Sequence, residues 1–227
     1  MKKFNREDPL ISIHIPKTGG ISFREILIKW FGERLFLHYY NEKDKIMPFK
    51  HELASGICIH GHFNSKRNFG VNDYYPQANQ FIAFLRDPFE ILVSRFFYVK
   101  KNEIKGISYR EGNQLFLPDD INSYVETEID NINYHPNILD YFPNSLTNHN
   151  YKEIIDDKFV FIGLMEDYQN AVNRLATLLE FPKFELTREN DAERFDKTNI
   201  KLRDKFIENH TLEYQVYNYV REIYYNQ

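Results

Sequence analysis

The chain has 227 residues, 42% of them hydrophobic and 16% aromatic, with a formal net charge of −4 and a single cysteine. This is enough for one domain with a substantial core, and it excludes an intramolecular disulfide and a global basic field for nucleic acid or a heavily sulfated polymer. No hydrophobic run is long enough to span a bilayer, the first residues lack the apolar core of a signal peptide, and no repeat, low-complexity tract or Gly/Ser/Pro linker interrupts the chain.

The first predicted unit is strand, glycine turn, helix. An apolar, β-branched run over residues 10–15 stops at Pro16, Lys17, Thr18, Gly19 and Gly20, and an apolar helical period starts at Ile21 and continues through Ile26, Leu27 and Trp30. Amide N–H groups at a helix start are unpaired and carry the positive end of the helix dipole, so such a turn suits a phosphate. Gly19 and Gly20 let the backbone approach an anion, and Lys17 adds a formal charge. A Walker A loop places its lysine after the glycines. Here the lysine precedes them, so a standard ATP or GTP loop is not expected. A plain strand–turn–helix with a surface lysine is the alternative.

The second unit is Ile57-Cys-Ile-His60-Gly61-His62-Phe63. If extended, it projects both histidines from one face, with Gly61 leaving room for a substrate or cofactor. A neutral imidazole near pH 7 suits removal of a hydroxyl proton. Two other readings stand beside it: a structural pair, or part of a metal site that needs His14, His38 or His51 brought in by folding.

The third unit is an apolar strand over residues 80–85, followed by Arg86-Asp87-Pro88 and an amphipathic run to Lys101. Pro88 suits the first helical position and Asp87 the N-cap, which leaves Arg86 at the strand end beside the first loop. Ser94 lies two helical turns on from Asp87, so a guanidinium and a hydroxyl can grip one phosphate. The alternative is a capping Asp-Pro with its arginine in a surface ion pair.

Beyond it, residues 102–118 are polar and irregular, and Asp119 or Asp120 caps a helix through Ile129. Residues 131–150 are irregular again, broken at His135-Pro136 and Pro143. A strand is expected over residues 159–163, a helix over about 167–179, a polar loop at Lys197-Thr198, and a last helix over 211–225 whose Leu212, Val216, Tyr219, Val220 and Ile223 face the core. Strands alternating with helices imply an α/β fold, P-loop-like and three-layered, with a mostly parallel central sheet flanked by helices. The ligand is expected outside the carboxyl ends of the strands. Residues 1–227 read as one domain, with irregular acceptor-side segments at about 64–78 and 102–150. Local basic groups occur at Lys66-Arg67 and at Lys100-Lys101 with Lys105.

Together these units resemble the sulfotransferases that use 3′-phosphoadenosine 5′-phosphosulfate (PAPS), in particular the carbohydrate, uronyl 2-O type. His14-Ile-Pro-Lys-Thr-Gly-Gly-Ile-Ser-Phe23 is similar to that family's His-Ile-Pro-Lys-Thr-Gly-Gly-Thr-Ser-Phe, Arg86-Asp-Pro with Ser94 to its second motif, and His60-Gly-His62 to its histidine pair. The resemblance implies that Lys17, Thr18, Gly19, Gly20, Ile21 and Ser22 hold the 5′-phosphosulfate and that Arg86 and Ser94 hold the 3′-phosphate. Lys197 and Thr198 would close the nucleotide's 3′ side, with an exposed loop as the other reading. His62 would be the catalytic base, His60 would assist it, and Lys17 would stabilise the leaving group. PAPS as cofactor, 3′,5′-ADP as product, a hydroxyl-bearing glycan or glycolipid precursor as acceptor, and no metal all follow by the same resemblance. So does a cytoplasmic enzyme of bacterial type, because the membrane-anchored Golgi relatives carry an anchor that is not evident here. Two departures stand out: Ile21 occupies a threonine position and Ile91 an arginine position, for which Arg95 or a later loop would have to substitute. Two further classes are weighed: a P-loop phosphotransferase binding ATP with Mg²⁺, and a non-catalytic nucleotide- or glycan-binding protein.

Overall fold

A computed structural model describes residues 1–104, 117–131, 133–186 and 197–226. The apolar start forms β1 (Leu10–Ile13), and the glycine turn releases it into α1 (Gly20–Phe31). There follow β2 (Leu35–His38), β3 (Cys58–Gly61), the short α2 (Val71–Tyr74), β4 (Phe81–Leu85) and α3 (Pro88–Ile104). The later part contributes α4 (Ile121–Glu128), α5 (Tyr151–Lys158), β5 (Phe159–Leu164), α6 (Tyr168–Leu178), α7 (Ile200–Asn209) and α8 (Thr211–Asn226).

Among the described residues the strands form one sheet in the order β2-β3-β1-β4-β5, every pair parallel. Helices flank it, as the sequence pattern predicts. Every residue of β1, β3, β4 and β5 is buried, which is why β4 and β5 read as uninterrupted apolar runs and β1 and β3 as apolar runs broken only by Ser12 and His60. β2 lies at the sheet edge with Leu37 exposed, and its half-buried pattern gave no strand signal. From β1 the chain leaves toward β2 and β3, and from β4 it leaves toward β5. The carboxyl ends of β1 and β4 therefore flank the switch point where open α/β sheets bind ligands.

Several expectations need correction. The segment at 64–78 is not irregular throughout: it holds a 3-10 turn at Ser65–Arg67, capped by the Asn64 side chain, and then α2. The 131–150 stretch contains a 3-10 turn at Ile138–Tyr141. α3 continues to Ile104, and residues 105–116, with Lys105, lie outside the described residues. Asp120 does cap α4, accepting from the amides of Asn122 and Ser123. The buried face of α8 is centred on Glu213, Val216, Tyr217, Val220 and Tyr224, while Tyr219 is only half-buried. The face is rotated because Glu213 is drawn inside: Tyr134 Oη and Asn137 Nδ2 donate to its carboxylate, and His210 Nδ1 lies 3.1 Å from it. A buried carboxylate is tolerated only with such partners, and these tie α8 to the 131–141 segment.

Candidate active site

Three strand-to-helix junctions meet above the sheet and lock one another. In the first, Lys17 and Gly19 both adopt positive φ (70° and 75°), which turns the chain sharply into α1. The buried Thr18 hydroxyl donates to the Ile15 carbonyl at 2.8 Å, so it pins the loop from within. Gly19 is the N-cap of α1 and offers no side chain to cap it. From the second junction, Arg86 Nη1 donates to the Lys17 carbonyl at 3.4 Å. From the third, Tyr168 Oη donates to the Gly19 carbonyl at 2.6 Å, and Glu166 accepts from the Asp87 amide at 2.9 Å. Neither Glu166 nor Tyr168 was singled out from sequence.

The sequence-predicted groups of the β4–α3 junction fall beside this loop. Asp87 caps α3 through the amides of Phe89 and Glu90, and it also accepts from Tyr214 Oη at 2.9 Å and Arg203 Nη2 at 2.7 Å. Its oxygens are thereby committed to structure. Glu90, Ser94, Tyr98 and Lys101 are half-buried at helical spacing along one face of α3. Arg86 pairs with Glu90 at 3.4 Å, and the Lys17 ammonium lies 3.9 Å above the Tyr98 ring. Ser94 thus sits between two positions that face the β1–α1 loop. Burial, then the charges of Arg86 and Lys101, lower the Lys17 ammonium from 10.5 to about 8. This is a cation short of an anion.

The departures from the family pattern have physical readings. Ile21 is 45% exposed, so its side chain points away from the packed loop. Ile91 is fully buried in the core, where an arginine would be unpaired. Arg95 lines the cavity described below, which Lys17 also lines. Lys197 is exposed and Thr198 half-buried. That segment is pinned to α4, with Asn122 Nδ2 donating to the Lys197 carbonyl and the Asn199 amide donating to Asn122 Oδ1. From it α7 carries Arg203 to Asp87.

The histidines form a row across the carboxyl edge of the sheet. The register pairs Ser12 with His60 and Ile13 with Gly61, so His14 falls beside His62 on the same face. His62 Nδ1 lies 2.7 Å from the His14 carbonyl, which can only accept, so the proton is on Nδ1 and the lone pair on Nε2. Burial lowers its imidazole to about 4, so it is neutral at pH 7. His60 is only 1% exposed; its Nδ1 bonds to Ser12 Oγ at 2.9 Å, and burial lowers it to about 3. It is not among the residues that line the cavity described below. Folding does bring His14 to the pair, but as a stacked ring, 4.3 Å from His62 and 5.4 Å from His60. Rings stacked face to face do not converge on one ion, and among the described residues no group of three His, Cys, Asp or Glu could hold a metal. Gly61 has a different reason from the expected one. A Cβ there would meet the His38 carbonyl oxygen at 1.8 Å, so the close approach is by the backbone of β2 and not by a ligand.

Lys17 and His62 open onto one cavity of about 270 Å³. Its other walls include Tyr39, Arg67, Arg95, Tyr98, His135 and Tyr141. Arg67 pairs with Glu42 at 2.8 Å and stands over the Tyr40 ring. His135 was read from sequence only as a chain breaker; burial, followed by the charges of Arg95 and Arg67, lowers it to about 3. Sequence marked Arg67 and Arg95 singly but not their meeting with His135 and Tyr141, because the walls come from separate segments joined only by the fold.

A model described as the sulfotransferase family matches residues 3–227. No curated protein matches the chain. Among solved structures, mouse sulfotransferase SULT7A1 complexed with PAP is 15% identical over 81% of this chain, with a TM-score of 0.47. The chain spans 62% of the length of that structure.

Proposed function

The chain belongs to the sulfotransferase family, and from that premise we propose that it moves a sulfuryl group from PAPS to an acceptor hydroxyl. The observation that carries the reading is the pairing in one cavity of a depressed loop lysine with a neutral histidine of fixed tautomer. The donor set fits PAPS: uncapped amides at the start of α1 and the Lys17 ammonium for the 5′ side, Arg86 and Ser94 for the 3′-phosphate. Bound PAPS supplies an activated sulfuryl group attached to a phosphate leaving group.

Within this reading His62 Nε2 takes the proton of the acceptor hydroxyl, and Lys17 with the amides of Gly20, Ile21 and Ser22 holds the charge that gathers on the 5′-phosphate. Thr18 shapes the loop, and Lys197 and Thr198 approach the 3′ side. The acceptor is a glycan or glycolipid precursor of the uronyl 2-O type's kind, met by the charges of Arg67 and Arg95 and the rings of Tyr39 and Tyr141. We place the reaction in the cytoplasm; recovery of native protein from a secreted fraction would overturn that. Among the described residues no helix is long and apolar enough to cross a membrane. Residues 1–227 act as one domain, supported by a hydrophobic core that runs from Leu10 to Tyr224.

The test is calorimetric titration with 3′,5′-ADP beside 5′-ADP, for wild type and Arg86→Ala. Binding that requires the 3′-phosphate and is lost in the variant supports the reading. Equal or absent binding of the two nucleotides removes it.

A further inference from the structure

We infer that His14 is a positioning residue for His62, and that position 20 is glycine to make room for the His14 ring. The assignment of His62 as a base rests on the function proposed above; the arrangement of the rings does not.

His14 acts on His62 twice. Its amide donates to the Gly61 carbonyl at 2.8 Å, which extends the β1–β3 ladder by one residue and brings its own carbonyl to His62 Nδ1. Its ring then stacks on the His62 ring with 27° between the planes. Carbonyl and ring together leave the His62 imidazole one rotation and one tautomer. His14 is itself held, since its Nδ1 bonds to Tyr39 Oη at 2.9 Å. The remaining constraint is steric. A Cβ on Gly20 would lie 2.0 Å from both Cδ2 and Nε2 of His14 and 2.4 Å from Cε1. No side chain fits at position 20 while the ring stays where it is. The second glycine of the anion loop therefore serves the histidine row, and the loop and the base form one mechanical unit.

The variants are Gly20→Ala, His14→Ala, the double variant and Tyr39→Phe, each checked for folding by melting temperature. The probe is the ¹⁵N-labelled His62 imidazole, read by NMR for tautomer and titration midpoint. The groups facing that ring are His14, His38, His135, Tyr39, Tyr141 and Arg67. In wild type the Nδ1–H tautomer is expected, with a midpoint near about 4. Gly20→Ala should mix the tautomers and move the midpoint up toward 6.5. His14→Ala keeps the carbonyl at position 14, so the Nδ1–H tautomer should persist while loss of the covering ring moves the midpoint up in the same way, and the double variant should match His14→Ala alone because the clash is gone. Tyr39→Phe should give a smaller shift of the same sign. If Gly20→Ala folds only when combined with His14→Ala, that relief also supports the inference. A His62 signal unchanged in Gly20→Ala or His14→Ala overturns it. So does a Gly20→Ala defect that persists undiminished without the His14 ring. If neither position 20 variant folds, an unchanged signal in both His14→Ala and Tyr39→Phe overturns it. Sulfuryl transfer retained in His62→Ala would remove the base assignment while leaving the ring result standing.

Discussion

The proposed nucleotide crevice and the proposed acceptor cavity share Lys17 but are built by opposite strategies. The crevice draws on two short segments, residues 17–22 and 86–94, because anion binding uses backbone amides and the first turn of a helix. The cavity draws on five separated stretches, from Pro16 to Tyr141, and its side chains meet only once the sheet has formed. Local chemistry writes itself into adjacent residues, whereas shape is written across the fold. The first region is therefore the more legible in sequence, and the second is where, on the proposed reading, the acceptor is chosen.

The sharpest way to separate the two regions is His62→Ala. Transfer should fall by about 10²–10⁴-fold, the usual worth of a general base, with 3′,5′-ADP affinity unchanged; a parallel loss of nucleotide binding would show that the regions are not independent. Arg86→Ala should do the reverse, weakening 3′,5′-ADP by roughly 10- to 100-fold and 5′-ADP little, as expected for loss of a charge-assisted contact. The pH dependence of binding sharpens the comparison further. Because Lys17 loses its proton near about 8 when free, nucleotide affinity should fall as pH rises above that value, by up to about tenfold per unit. Calorimetry at pH 7 and pH 9 checks it, and equal affinities would break the lysine's assignment to the crevice.

Acid should act on the cavity side. His38, His60, His62 and His135 are lowered by burial to about 4, 3, 4 and 3, and His14 falls well below 6.5. Between these values and 6.5 the unfolded chain binds the protons and the folded chain does not. Stability that is full above 6.5 should therefore drain as pH falls toward 4, at up to about 1.4 kcal/mol per unit for each histidine. A melting temperature that stays flat from pH 7 to pH 5 would contradict the neutral histidine row. Gly61→Ala should cost about 1–3 kcal/mol through overpacking against the His38 carbonyl, read by denaturant unfolding.

Much of the frame was legible. Buried parallel strands are predominantly apolar, so β1, β3, β4 and β5 announce themselves despite Ser12 and His60, and Asp87-Pro88 marks the start of α3. The edge strand β2 was not legible, since half-burial erases both the continuous and the alternating pattern. In the site, Lys17, Arg86 and His62 stood out, Arg95 was noted only as a stand-in for the arginine absent at position 91, and Tyr141 and the cavity role of His135 were not seen. A surface arginine and a cavity arginine have the same sequence signature. Gly20 and Gly61 show a subtler limit. The sequence correctly implies that something comes close at each, but only the fold shows that it is the His14 ring and the His38 carbonyl.

The bonds that link the three junctions, Arg86 to the Lys17 carbonyl, Glu166 to the Asp87 amide and Tyr168 to the Gly19 carbonyl, have a consequence for redesign. They fasten the β1–α1 loop from below, using none of the side chains at positions 39–42, 64–69 or 135–141. Substitutions in those cavity walls should therefore leave all three bonds, and the shape of the loop, in place.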